Sequence, residues 1–307
     1  MDIDIIIPLY KPGKELFRLL DLLEQQTVPV HEILLLNTEE KYFEELVYGT
    51  DFVHKYKNVR VFHLSRKEFD HGGTRRMGVS KSGAEIFVMM TQDAMPEDTF
   101  LLERLTAHLR DEVAVAYARQ LPGATSSVLE QFGRQFNYPD TSAIKSQKDM
   151  ERLGIKTFFC SNVCAAYRRE IYDELGGFVR HAIFNEDMIY AAGAIRAGYS
   201  IAYEAQARVV HAHNYNCRQQ FHRNFDLGVS QARHPEVFAA VKSETEGKRM
   251  VKAATTYLKD NHMVGKIPYF YLQCAWKYAG YLLGKHYQKL PRRVILRCTS
   301  NKSFWYK

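Results

Sequence analysis

The feature that most restricts the fold is an alternation of short apolar runs with helical periodicity, in which the apolar runs end at polar residues. The runs are 3-IDIIIPLY-10, 32-EILLLN-37, 59-VRVFHL-64 and 85-EIFVMMT-91. They are too short for buried helices and read as strands. After the first, Leu16, Leu19, Leu20 and Leu23 recur at helical spacing within 14–26, and 74-TRRMGVSKSGA-84 reads as a short helix before the fourth.

This order predicts an α/β chain with a mostly parallel sheet covered by helices on both faces, and such sheets bind ligands beyond the carboxyl ends of their strands. Pro8, Asn37, Asp70 and Asp93 fall at or just past those ends, and Pro8 is expected to close the first strand. A helix over 96–109 opens on proline and acids, as a helix start should. A strand over 113–120 follows, then a polar, glycine-bearing connection over 121–156 with little apolar periodicity. Beyond it, a helix around 169–175 closes at Gly176 and Gly177, another begins near Glu186, and a strand ends at 209-VVHAH-213.

Composition excludes several classes. With 307 residues and 46% hydrophobic content, the chain can bury a large core, so one main domain and a tail region are expected. The five cysteines, Cys160, Cys164, Cys217, Cys274 and Cys298, are scattered without CxxC pairing, which fits a reducing cytosol better than a disulfide framework or structural zinc. The start MDIDIIIPLYK lacks the basic and long apolar regions of a secretory signal, and no stretch approaches the roughly 18 apolar residues of a membrane span. The net charge of +7 implies a surface that meets phosphate in a nucleotide, a nucleic acid or a lipid headgroup.

Asp93 stands where a strand empties onto the ligand edge, and a carboxylate there can hold a hard divalent cation; the competing account is a helix-terminus acid. Glu186 and Asp187 open a helix, where adjacent acids are often only dipole complements, although two acids in different environments can divide a proton-transfer task. His211 and His213 lie two apart on an expected strand, so both can face one pocket as metal ligands or as structural hydrogen-bonding groups. Arg75 and Arg76 follow two glycines at a helix start, an arrangement suited to phosphate, with plain solvation the default for Arg76. GGTRRMG has neither the P-loop spacing nor GxGxxG, and GxSxG is absent from the chain, so ATP, NAD and acyl-transfer chemistry are disfavoured.

Taken in order, 3-IDIIIPLY-10, 74-TRR-76, 88-VMMTQDAMP-96, 176-GGF-178, 185-NED-187, 198-GYSIAY-203 and 211-HAH-213 resemble the inverting glycosyltransferase family 2. FDHGGTR, TQDA and HxHxY followed by 219-QQFHRNFDLG-228 are similar to the bacterial dTDP-rhamnosyltransferases within it. The resemblance covers residues 3 to 230. It implies a GT-A, Rossmann-like, mostly parallel α/β sheet with flanking helices over 1–230, and a helical, basic and aromatic C-terminal extension over 231–307. It implies transfer of L-rhamnose from dTDP-β-L-rhamnose to a glycan or polyprenyl-linked glycan acceptor, with Mg2+ or Mn2+ as cofactor; a family 2 transferase using a UDP-hexose donor is the alternative. Carried onto this chain, Asp187 matches the catalytic base, with Glu186 as its partner. Asp93 matches the last acid of a DxD-like metal motif whose first position is here Thr91, and His211 or His213 matches a further metal or diphosphate ligand. Pro8, Tyr10, Asn37 and Arg75 fall in segments that enclose the nucleotide, Asn37 standing near where relatives usually carry an acid. Asp70, His71 and Thr74 match the rhamnosyltransferase-type donor signature, and Gln92 joins the donor site beside Asp93.

From residue 261 onward there are nine lysines and arginines and no acid, interleaved with aromatics. A helix of this composition can rest on an anionic bilayer surface, which implies a cytoplasmic protein able to sit on the inner face of the plasma membrane; packing of the same aromatics on the main domain is the alternative. A nucleic-acid-binding module would explain the charge but not Asp93 or the Glu186 and Asp187 pair. A nucleotidyltransferase would need a basic triphosphate loop after the first strand, where this chain has 11-KPG-13. No nucleic-acid partner is expected.

Overall fold

The computed structural model describes residues 2–239 and 243–306. Its first half comprises β1 (Ile3–Tyr10), α1 (Glu15–Glu24), β2 (Glu32–Thr38), α2 (Glu40–Val47), α3 (Phe52–Lys55), β3 (Val59–Leu64), α4 (His71–Lys81), β4 (Ile86–Met90), β5 (Met95–Pro96), α5 (Leu101–Thr106) and β6 (Val113–Leu121). Then come α6 (Val128–Asn137), β7 (Ala143–Lys145), α7 (Met150–Leu153), β8 (Cys164–Arg168), α8 (Arg169–Glu174), α9 (Glu186–Arg196) and β9 (Ser200–Val210). The C-terminal part is helical: α10 (Cys217–Arg233), α11 (Pro235–Phe238), α12 (Ser243–Asp260), α13 (Ile267–Lys285) and α14 (Arg292–Cys298).

The strands form one sheet in the order β3-β2-β1-β4-β8-β6-β9-β5, with β7 paired to β9. Alternation along each strand sends side chains to two cores: Ile5, Ile7, Ile33 and Leu35 join α1 and α5 on one face, whereas Ile6, Leu34 and Leu36 join α4, α8 and α9 on the other. The expectation of a mostly parallel sheet does not hold, because four pairings are parallel and four antiparallel. The change of direction lies at β8, which enters antiparallel between β4 and β6. Its run Cys164–Tyr167 is buried on both faces, so the pattern that marks it as a strand carries no sign of its direction.

Three local expectations also change. β1 continues past Pro8 to Tyr10, because β1 pairs with β4 only as far as Ile6 and the missing N–H of Pro8 falls where β1 has a neighbour on one side. Residues 96–109 hold a shorter helix, α5, since Met95 and Pro96 pair with β9 instead. The connection over 121–156 contains α6, β7 and α7; Phe132 of α6 is buried against Ala254, Leu258 and Phe270, partners too distant in sequence for a local pattern to show.

The C-terminal helices are built onto the sheet domain. α10 and α13 pack backbone to backbone through glycines: a Cβ on Gly228 would lie 2.3 Å from the Tyr281 carbonyl oxygen, one on Gly280 2.3 Å from that of Phe221, and one on Gly284 2.1 Å from that of Phe225. Buried Asp226 of α10 accepts hydrogen bonds from the Thr299 hydroxyl at 2.5 Å and the Ser300 N–H at 3.0 Å, which ties the end of the chain to the same helix. Gly284→Ala is therefore expected to destabilise the protein by roughly 1–3 kcal/mol, read from the denaturant midpoint. Gly247→Ala inside α12, where a Cβ meets nothing within 4 Å, should leave stability unchanged or raise it.

Candidate active site

The first wall of the site begins at α4. The Asp70 carboxylate caps this helix, accepting the Gly73 N–H at 2.6 Å, while the Asp70 N–H donates to the Thr74 hydroxyl at 3.2 Å. Glycine is required behind it, because a Cβ on Gly72 would lie 2.0 Å from the Val179 carbonyl oxygen. Arg76, expected to be solvated, donates to the carbonyls of Gly176 and Phe178 and holds the same loop from its other end.

This close approach brings Arg75 to α9. Its guanidinium Nε lies 3.2 Å from Glu186 Oε1, and both side chains are buried. Asn162, from the loop before β8, joins the two acids: its side-chain amide donates to Glu186 Oε1 at 3.0 Å and its backbone N–H to Asp187 Oδ2 at 3.0 Å. Asn162 is itself oriented by the Tyr167 hydroxyl, which donates to its Oδ1 at 2.7 Å.

The adjacent acids consequently differ. Burial alone would raise Glu186, but the charge of Arg75 and the amide of Asn162 hold it below the usual range. Asp187 keeps part of its surface in the cleft, and burial together with the charge of Glu186 pushes it up to about 7. Burial lowers His71 to about 4 and keeps its imidazole neutral near neutral pH.

The facing cluster forms where β4 and β9 end. His211 and His213 lie just beyond β9 rather than on it, and their rings converge on Asp93. His211 Nε2 is 3.4 Å from Asp93 Oδ1, His213 Nε2 is 3.2 Å from Oδ2, and the two Nε2 atoms are 3.0 Å apart. The other nitrogen of His211 meets Gln120 Oε1 at 3.1 Å, which turns Nε2 toward Asp93. Burial disfavours the ionised Asp93, yet the hydrogen bond and charge of His211, with the charge of His213, hold it well below the usual carboxylate range. The three ligand atoms lie within 4.8 Å of one another, a donor set that suits a divalent cation.

Both clusters line one cleft of about 490 Å³, together with His71, Arg75, Thr91, Tyr215, Arg223 and Lys277. The other sequence-predicted residues lie elsewhere. Asn37 is fully buried, its amide 3.0 Å from His63 Nδ1. Gln92 clips the end of β1, accepting the Tyr10 N–H at 2.9 Å and donating to the Tyr10 carbonyl at 3.2 Å. Tyr10 is exposed and packs edge-on against Tyr42, Pro8 is half-buried within β1, and Asp70 and Thr74 are buried behind the first turn of α4. Sequence reasoning missed Asn162, Gln120, Arg223 and Lys277; Arg223 lies within 219-QQFHRNFDLG-228 and Lys277 within the basic aromatic stretch, but nothing local singles either side chain out.

A buried acid pair with divided proton affinities on one wall and a cluster that suits a cation on the other, at the strand ends of an α/β sheet, fit a group-transfer enzyme. The chain belongs to glycosyl transferase family 2, which matches residues 4–176, and it is a glycosyltransferase. It is 39% identical over 310 residues to the O-antigen chain rhamnosyltransferase RfbN of Salmonella typhimurium, covering 99% of this chain and 96% of that one. It is 42% identical over 247 residues to the O-antigen chain rhamnosyltransferase WbaN of Salmonella anatum, covering 79% of this chain and 78% of that one. Among solved structures, the mannosyltransferase PcManGT of Pyrobaculum calidifontis in complex with GDP-Man and Mn2+ superposes with a TM-score of 0.62 at 14% identity, over 94% of this chain and 88% of that one. Residues 1-349 of TarS from S. aureus superpose at 0.53 and 14% identity, over 95% and 93%. These likenesses agree with a GT-A-like α/β fold built on a mixed sheet.

The Asp93 cluster makes a direct prediction. Mn2+ titrated calorimetrically into the protein should bind at one site, and His213→Ala should weaken it by about tenfold or more, since loss of a ligand costs at least as much as loss of the residue that orients one. Equal affinity in the variant would remove His213 from the site.

Proposed function

We propose that the protein transfers L-rhamnose from dTDP-β-L-rhamnose, with inversion, to a hydroxyl of a lipid-linked or cell-surface glycan. The observation that carries this reading is the divided acid pair: a carboxyl raised to about 7 stands in the same cleft as a cluster suited to a cation beside a diphosphate. The rhamnosyltransferase names of two relatives support the choice of sugar.

In this scheme the acceptor hydroxyl gives its proton to Asp187 Oδ as its oxygen bonds to the anomeric carbon, and the bond from that carbon to the diphosphate oxygen breaks, releasing dTDP. Glu186, kept ionised by Arg75, raises the proton affinity of Asp187 without taking the proton itself. Asp93, His211 and His213 would hold Mg2+ or Mn2+, which when bound would supply positive charge beside the departing diphosphate. His71 and Arg75 border the transferred sugar, Asp70 and Thr74 brace the turn that presents them, and Tyr10 with Gln92 at the end of β1 belongs to the wall around the nucleotide, with Pro8 and buried Asn37 behind it. Residues 1–230 carry donor binding and catalysis, and 231–307 serve the acceptor and the membrane surface.

A base with a pKa near 7 must be ionised to act. Activity under kcat/KM conditions should be full above that pH and fall tenfold per unit below it. Asp187→Asn should reduce transfer by roughly 10²- to 10⁴-fold while leaving Mn2+ binding intact; a folded variant with wild-type turnover would sink the assignment. Released dTDP, rather than UDP or another nucleotide, from a panel of nucleotide sugars tests the donor.

The outer face of α13 supports a peripheral membrane role at the cytoplasmic leaflet. Leu272 is 50% exposed and Trp276 41% exposed, and with Pro268, Ala279 and Leu283 they share one helix face flanked by Lys266, Lys285 and Lys289. No helix among the described residues is long and apolar enough to cross a membrane. In sedimentation with phosphatidylglycerol vesicles, Leu272→Glu combined with Trp276→Glu should weaken binding by about tenfold or more; unchanged partitioning would remove this face from the contact.

A further inference from the structure

The inner stripe of α13 presents Lys277 to the cleft that holds the acid pair and the Asp93 cluster. Arg223 of α10 faces the same space, its guanidinium 4.6 Å from the Phe184 ring and 5.8 Å from that of Tyr215. Tyr215 in turn stacks on His213, ring to ring at 4.9 Å, so Arg223 is one aromatic layer away from the candidate cation ligands. Among the described residues neither Lys277 nor Arg223 has an ion pair or a side-chain hydrogen bond. The acid whose charge reaches Lys277 is Glu130, which is already engaged by Arg134 at 2.8 Å.

This is an unusual use of two cations. An ammonium drawn partly out of water is costly without an anion, and burial, reinforced by the charge of Arg223, lowers the proton affinity of Lys277 despite Glu130. Both groups are carried by helices whose glycine-mediated contact fixes their backbones relative to one another. Lys277 also borders an adjoining recess of about 250 Å³, with Gln220, Gln273, Tyr215 and Tyr269 on its walls, and thus stands at the junction of the two spaces. Amide and aromatic side chains of that kind suit a sugar, whereas the junction itself suits a phosphate.

We infer that Arg223 and Lys277 form a phosphate seat, supplied by the C-terminal helices, that binds a phosphate group of a bound substrate at the mouth of the recess. The donor diphosphate and a phosphate linking an acceptor glycan to its carrier share this chemistry. The inference rests on this cleft being the transfer site and does not depend on which sugar is transferred.

The test uses the full chain and inorganic diphosphate as probe, titrated calorimetrically in EDTA so that no cation at Asp93 contributes. Wild-type protein should bind it in a salt-sensitive manner. Lys277→Met and Arg223→Met should each weaken binding by about tenfold or more, and Lys57→Met, an exposed lysine far along the chain, should not. Absent binding by wild type, or wild-type affinity in both variants at unchanged melting temperature, overturns the seat. Kinetics then separate the sources. Slower acceptor-independent hydrolysis of dTDP-rhamnose in the variants assigns the seat to the donor, and loss confined to a phosphate-bearing acceptor, with the same glycan on an uncharged aglycone unaffected, assigns it to the acceptor. Equal loss with both acceptors at normal donor hydrolysis contradicts a phosphate role. If wild type hydrolyses a different nucleotide sugar, the rhamnose reading fails while the diphosphate titration still decides the seat.

Discussion

The buried pair of Arg75 and Glu186 is the contact on which the remaining chemistry depends. It joins the second turn of α4 to the start of α9 through residues 111 positions apart in the chain. Two charges out of water are tolerable only together, and removal of one partner from such a pair costs about 3–5 kcal/mol. The glycines before Arg75 let α4 approach the 179–182 segment, and Asn162 completes the coordination of Glu186 from a third direction. The ionised state of Glu186 then has an electrostatic consequence next door: Asp187, partly buried beside a fixed negative charge, holds its proton far more tightly than a solvated aspartate. The ion pair thus joins α9 to α4 and fixes the charge of Glu186, and that charge adds to burial in raising the proton affinity of Asp187.

The opposite wall solves a different problem with fewer acids. With Thr91 at the first position of the expected metal motif, Asp93 is alone as a carboxylate, and two imidazoles complete the cluster. Gln120 orients His211, and the same side chain donates to the Tyr138 hydroxyl at 2.5 Å and to the Ser161 hydroxyl at 2.9 Å. Ser161 neighbours Asn162, so the residue that turns a histidine toward Asp93 also braces the loop that holds the acid pair. The two walls of the cleft are mechanically linked through β6 and the loop before β8.

The C-terminal helices belong to this machinery. α10 packs Phe225 and Val229 against Ile183, close to the start of α9, and α13 is locked to α10 by glycines that admit no side chain. The third wall of the cleft therefore comes from Arg223, inside the 219–228 segment, and from Lys277, which reads in sequence as part of a basic aromatic tail. The same helix carries its apolar aromatics outward, and the 3.6-residue repeat divides the two jobs between its faces.

Much of the fold was legible because local pattern carries it: the first three strands with α1 follow from apolar runs and helical spacing, and the strand ends that carry Asp93, His211 and His213 follow from where those runs stop. The direction of β8, the helix within 121–156, the clip made by Gln92, the strut made by Arg76 and the contributions of Asn162, Gln120, Arg223 and Lys277 were not legible. Each depends on a partner tens of residues away, and a single polar side chain has no periodicity to announce its partner. The sequence by itself determined which segments are strands and helices and which titratable residues stand at their ends, because backbone sterics and apolar burial act over a few residues. Only the tertiary structure decided which of two adjacent acids is ionised and which cations remain without a counter-charge, because electrostatics and desolvation depend on neighbours in space.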